Sequence, residues 1–178
     1  MRLFIAIQLP EAVVDSLLAT ISDWKDHGVT GTWTKPINFH ITAAFLGEQP
    51  ESSLHVIRKI LQEVPFPAMG LKVAGVGNFK DLYYAQITDL QNNPSNLLTE
   101  YVYRLRKALK EAGFFLDQRF KAHVTMARRL KNPNHYLLTV PEQTFHVDQV
   151  CLYQSVLSSQ GPTYTILDRF PAAIEISK

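Results

Sequence analysis

"NFHITAAFLGE", residues 38–48, is an apolar, strand-forming run with a histidine and a threonine set into it at alternate positions. In a β-strand, side chains two apart share a face, so His40 and Thr42 project together while Ile41 and Ala43 point into the opposite layer. The pattern returns eighty-three residues later in "FKAHVTMARR", residues 120–129, where His123 and Thr125 share a face with Val124 and Met126 behind them. A buried polar side chain costs about 1–3 kcal/mol unless a partner satisfies it, so two such pairs need an explanation. Each His and Thr can bond to neighbouring backbone within a sheet. Alternatively, the two strands lie side by side or across a cleft, and two imidazoles and two hydroxyls converge on one spot.

Around these strands the periodicity places the other elements. "RLFIAIQL" reads as a first strand, and residues 11–26 carry a helical apolar stripe (Val13, Val14, Leu17, Leu18, Ile21, Trp24) that Gly28 and Gly31 break. A helix is expected at about 52–63, two strands at 71–79 and 82–87 joined by a turn, and a helix at about 94–112 ended by Gly113. The strand at 121–127 leads into a polar loop, "RRLKNPNH", and two closing strands follow near 145–153 and 163–170. The order is α+β, with no low-complexity linker, so residues 1–178 read as one domain. The histidine strands fall at similar places in the two halves, which predicts two pseudo-symmetric lobes.

The 178 residues, 46% hydrophobic and 19% charged, describe an ordinary globular chain. No apolar run approaches the roughly 18 residues of a membrane span, and the five apolar residues of "MRLFIAIQLPE" are too few for a signal peptide. A cytoplasmic monomer is the expectation. The single Cys151 excludes an internal disulfide framework and reads as a buried, inert thiol. Net charge is only +2, yet residues 104–131 hold nine Lys and Arg against Glu111 and Asp117, a local +7 that reads either as a solvated helix face followed by a basic loop or as a field that draws in a polyanion such as RNA.

Two imidazoles, each with an unperturbed pKa of about 6.5, can divide into one acid and one base near neutrality. On a phosphodiester, one takes a proton from water and the other gives a proton to the departing sugar oxygen. Thr42 and Thr125 would hold the non-bridging oxygens, and Arg128 would add a charge-assisted bond. In a straight strand Arg128 has the wrong parity for that face, so a bulge or strand end must re-aim it. The scheme requires no metal and no cofactor. His27, His55, His135 and His146 have no metal-ligand spacing and read as surface or loop residues, and "GVGNFK" lacks the P-loop spacing.

The pair "FHITAAFLGE" and "FKAHVTMAR" resembles the signature motifs of the two-histidine phosphoesterase superfamily. Its bacterial and archaeal RNA 2',3'-cyclic phosphodiesterases, also named 2'-5' RNA ligases, are the most similar branch. "MRLFIAIQLPE" is similar to that family's opening strand and "CLYQSVLSSQGPTYTIL" to its closing strand pair. The resemblance implies two lobes, each an antiparallel sheet with outer helices, around a groove holding both motifs. It implies metal-free hydrolysis of RNA 2',3'-cyclic phosphate ends to 2'-phosphomonoesters, and reversible joining of RNA ends through a 2'-5' linkage. It assigns His40 as proton donor and His123 as proton acceptor, a division that two imidazoles can also reverse. Thr42, Thr125 and Arg128 would cradle the phosphate. Phe45, Tyr84 and Tyr153 are candidate rings for stacking on the terminal base. Ala122 stands where the family often has proline, which should loosen the strand entry only.

Two other readings remain open on the residues. The same chemistry fits a small cyclic phosphate nucleotide or a 2'-5' oligoadenylate. A two-lobed groove that grips RNA ends without turnover is also an option, although binding alone does not need two titrating groups.

Overall fold

The computed structural model describes residues 1–116, 119–131, 133, 138–159 and 161–173. The expected loop position of His135 lies outside these residues. Twelve helices and strands follow in order among those described: β1 (Arg2–Gln8), α1 (Glu11–Asp26), β2 (Thr30–Trp33), β3 (His40–Glu48), α2 (Leu54–Glu63), β4 (Met69–Phe79), β5 (Leu82–Thr88), α3 (Asn96–Glu111), β6 (His123–Lys131), β7 (Gln143–Val147), β8 (Gln149–Ser158) and β9 (Gly161–Pro171). They build two sheets, β3-β1-β8-β9 and β2-β6-β5-β4-β7, with every pairing antiparallel. The α+β, two-sheet architecture agrees with the sequence expectation.

β1 explains why its sequence is apolar without a break: it is an inner strand buried on both faces. Leu3, Ile5 and Ile7 enter the main core. Phe4 and Ala6 face the other way, into a small cluster with Cys151 and Tyr153 against which Tyr164 and Ile166 pack. That second cluster is the floor on which His40 rests.

The helices flank the two sheets. α1 buries Val13, Leu17, Ile21 and Trp24, and the Trp24 ring meets Trp33 of β2 at 6.5 Å while its Nε1–H donates to the Thr139 carbonyl at 3.1 Å. α2 and α3 pack together, with Phe66 edge-on to Tyr101 at 5.0 Å, and α3 touches β3. α3 starts at Ser95, whose hydroxyl accepts from the Leu98 N–H. It ends as expected at Gly113 (φ +92°), where Gly113 N–H reaches the Lys110 carbonyl and Phe114 N–H the Leu109 carbonyl.

Four local expectations change. The strand-forming run at 38–48 enters its sheet only at His40, because Pro36–Asn38 closes a tight turn. Residues 30–33, read as a break, form the edge strand β2: a side chain at Gly31 would meet Leu130 Cδ2 at 2.7 Å, so glycine permits the pairing with β6. The closing strand read at 145–153 is two strands interrupted at Asp148, β7 in the five-stranded sheet and β8 in the four-stranded one. β6 itself runs on to Lys131 through the start of the expected loop. Each sheet therefore takes strands from both halves of the chain rather than from one.

Candidate active site

The two H-x-T motifs open β3 and β6, and each occupies the same backbone setting. In both strands exposure runs half-buried, buried, half-buried, buried, buried, exposed over the first six positions. His40 lies opposite Gln8 and Thr42 opposite Ala6. His123 lies opposite Gln86 and Thr125 opposite Tyr84. Just after each threonine the register slips by one residue, leaving Ala43 without a partner on β1 and Met126 without one on β5. Such a bulge inverts the parity of the residues beyond it. Phe45 thereby joins the face of His40 and Thr42, and Arg128 joins the face of His123 and Thr125.

The imidazoles are oriented alike. His40 Nδ1–H donates to the Asn38 carbonyl at 2.7 Å, and His123 Nδ1–H donates to the Lys121 carbonyl at 2.7 Å. A carbonyl only accepts, so each neutral ring carries its proton on Nδ1 and presents Nε2 as a base. His40 Nε2 accepts from the Thr42 hydroxyl at 3.0 Å.

Each ring also has an aromatic wall. His40 meets Phe4 at 5.1 Å and Tyr164 edge-on at 5.4 Å. His123 stands edge-on to Tyr84 at 5.2 Å and to Phe79 at 5.5 Å. Burial pushes the His40 pKa down to about 4, the Asn38 carbonyl offsets part of this, and the charge of His123 lowers it further. Burial likewise lowers His123, against the Lys121 carbonyl and with the charges of Lys121 and Arg128 adding to the effect.

β3 lies against β6, the charge of His123 reaches His40, and one cleft takes Thr42 and His123 into its lining but not His40, Thr125 or Arg128. Thr42 and Phe45 from β3, Lys121 and His123 from the second motif, and Arg106 and Arg119 line a space of about 50 Å³. The Arg128 charge reaches both His123 and the Tyr164 phenol beside His40, which ties the β6 cation to the other sheet's floor. Among the described residues no group of three or more His, Cys, Asp or Glu is placed to hold a metal ion, and no helix is long and apolar enough to cross a membrane. His27, His55 and His146 are exposed and lie outside the cleft.

Of the three rings singled out for stacking, Phe45 is open, 39% exposed, with the Arg2 guanidinium 4.8 Å from its centre. Tyr84 and Tyr153 are both buried. Tyr153 is stacked under Phe4 at 4.9 Å, and Tyr84 lies between Phe79 and the backbone of Gly77, its hydroxyl accepting from Lys121 Nζ at 2.6 Å. A ring covered on both sides has no face for a base, so the open aromatic surface on the two motif-bearing sheets belongs to Phe45 and to the 43%-exposed Phe79.

The sequence reading missed Phe79, Tyr164, Phe4 and Gln8, which is held by Arg169 Nη1 through its side-chain oxygen. It also missed Lys121 and Asn38 as anchors of the imidazoles. The anchoring groups are backbone carbonyls, which any residue supplies, so the side chains at 38 and 121 carried no signal for them. Tyr164 had none, because only the β8–β9 pairing brings it to His40.

Comparison with known proteins places the chain in a family. The family described as LigT like Phosphoesterase matches residues 7–86 and 89–164, one H-x-T motif in each stretch. A protein of Archaeoglobus fulgidus named RNA 2',3'-cyclic phosphodiesterase is 31% identical over 177 residues, spanning 96% of this chain and 99% of that one. A protein of the same name from Thermotoga maritima is 29% identical over 177 residues, covering 94% and 93%. The crystal structure of TT0787 of Thermus thermophilus superposes with a TM-score of 0.77 at 26% identity, covering 97% of this chain and 98% of that one. With both motif-bearing stretches matched and the two-sheet frame shared, the chain belongs to the LigT-like phosphoesterase family.

Proposed function

We propose that this phosphoesterase hydrolyses the 2',3'-cyclic phosphate at RNA 3' ends to a 2'-phosphomonoester, using His40 and His123 for proton transfer and no metal ion or nucleotide. The relatives' shared name, RNA 2',3'-cyclic phosphodiesterase, supports the reaction class. The observation that carries the mechanism is the pair of imidazoles, each fixed through Nδ1 with Nε2 left as the base, that of His40 on the Thr42 hydroxyl. An RNA-end-binding module would have no use for two such groups.

Water attacks the phosphorus and His123 Nε2 takes its proton. The bond from phosphorus to the 3' oxygen breaks, and His40 Nε2–H protonates that oxygen, leaving a free 3' hydroxyl and a phosphate on the 2' oxygen. Exchange with solvent returns the two protons to their starting positions.

His40 is neutral in the empty site at pH 7, since its pKa lies near 4. The anionic diester favours the imidazolium, so substrate binding itself charges the acid. Protonation converts His40 Nε2 from acceptor to donor. That frees the Thr42 hydroxyl to turn its hydrogen toward a non-bridging oxygen, with Thr125 and Arg128 serving the other side. Replacing water by the 5' hydroxyl of a second RNA gives the 2'-5' linkage by the same two proton transfers.

Incubation of the protein in excess EDTA with a short RNA ending in a cyclic phosphate tests this. Product one water heavier, with its phosphate on the 2' oxygen by NMR, is expected. Loss of turnover with EDTA that returns with added metal would refute the metal-free mechanism.

A further inference from the structure

α3 turns a stripe outward that the chemistry above does not use. Thr99, Tyr103, Arg106, Lys107 and Lys110 fall at helical spacing on one side, while Leu98, Tyr101, Val102, Leu105 and Leu109 are buried on the other. Thr99 to Lys110 spans about 16 Å along the axis, long enough for more than one phosphate of an extended strand. The stripe forms one wall of a second cleft of about 550 Å³, whose other residues include Arg119 and Phe120. Arg106, Leu116, Arg119 and Phe120 line both this cleft and the one containing His123, so the two adjoin. Tyr103 is 69% exposed. Among the described residues the one acidic side chain on the wall, Glu111, pairs with Lys107 at 3.9 Å, and both are well exposed, so phosphate exchanges for that carboxylate at little cost.

We propose that this second cleft binds the single-stranded RNA that precedes the cyclic end. Phosphates 5' of the reacting nucleotide pass Arg119 and Arg106 and continue toward Lys110, and Tyr103 offers its ring to an unpaired base. The proposal rests on the RNA cyclic phosphodiesterase reading and deepens it: the preferred substrate is an oligonucleotide end rather than a free cyclic mononucleotide. Charge sign, helical spacing and continuity with the catalytic cleft all favour a strand that starts at His123. An acidic protein partner would need no such continuity.

The test compares 2',3'-cyclic CMP with an RNA pentamer ending in a cyclic phosphate, the mononucleotide being too short to leave the catalytic cleft. Wild-type protein should show a KM for the pentamer about tenfold lower or more, rising steeply with salt. The Lys107→Glu/Lys110→Glu double variant and Tyr103→Ala should each raise the pentamer KM by about tenfold and leave cyclic CMP turnover unchanged. Lys110→Arg should keep the wild-type values. For the double variant, the log–log salt slope should fall by about 0.7 for each phosphate no longer bound. All three substituted side chains lie on a solvent-facing stripe, and thermal melting matching wild type controls for folding. Unaltered pentamer kinetics in the variants, equal losses on both substrates, or a wild type with no preference for the pentamer would overturn the subsite. A wild type that opens neither ring would instead remove the reaction on which it rests.

Discussion

Along β3, the side chains from His40 to Phe45 follow a sequence of half-buried, buried and exposed positions that recurs along β6 from His123 to Arg128. Both histidines hang from the carbonyl two residues earlier, and both threonines are followed by a bulge. What differs is the polarity of the flanks. Aromatic rings wall both histidines, but the charges of Lys121 and Arg128 act on His123, whereas the cation near the first motif, Arg2, stands over Phe45. β3 is an edge strand and β6 an inner one. One backbone frame, used twice, thus yields a histidine held low mainly by burial and another lowered by burial with two cations added.

Removing either half of the frame should have the largest effect. His40→Ala and His123→Ala should each lower kcat by about 10²–10⁴, read by product analysis on a cyclic-phosphate RNA. The double variant should lose far less than the product of the two, because either single loss already disables the pair. Unchanged turnover in both single variants would end the two-histidine mechanism.

The fifth residue past each histidine should then separate the two sides. Arg128→Ala removes a charge-assisted bond to the phosphate and should cost about 10- to 100-fold in kcat/KM. Phe45→Ala should raise KM by only about fivefold, because it removes stacking surface and no charge. Equal losses in kcat would erase the distinction between the two flanks.

Acidity sharpens the same contrast. Both imidazoles are lowered in the empty site, so the bell for kcat/KM should peak below about pH 6.5. The bell for kcat should peak at higher pH, because the bound phosphate favours the charged ring. Its limbs belong to the pair rather than to one residue. Coincident maxima would argue against charging of the acid by substrate.

The smallest effect concerns stability. A histidine held near 4 when folded and about 6.5 when unfolded binds its proton in the unfolded chain first. Its contribution is therefore complete above about pH 6.5 and is lost as pH falls toward 4. Thermal melting temperature should decline over that window, and less steeply in His40→Gln than in wild type.

The motifs were legible because strand alternation is local: His40 with Thr42, and His123 with Thr125, follow from a period of two. The need for a bulge before Arg128 was legible for the same reason, and the register slip at Met126 meets it. The stacking residues were not. Tyr84 and Tyr153 differ from Phe45 and Phe79 only in what covers them, and ring coverage comes from Gly77, Phe4 and other distant segments. The break at Asp148 was hidden as well, since "FHVDQVCLY" alternates with no turn residue strong enough to announce that the chain changes sheets there.

Sequence alone determined the strand faces, the two imidazole–hydroxyl pairs and the cationic stretch from 104 to 131, because each depends on neighbours a few residues apart. Tertiary structure decided that β3 and β6 open onto one cleft, that Tyr164 walls one histidine, and that the α3 stripe adjoins the second motif. Those relations join segments distant in the chain. They are fixed by sheet order and core packing, which no local periodicity encodes.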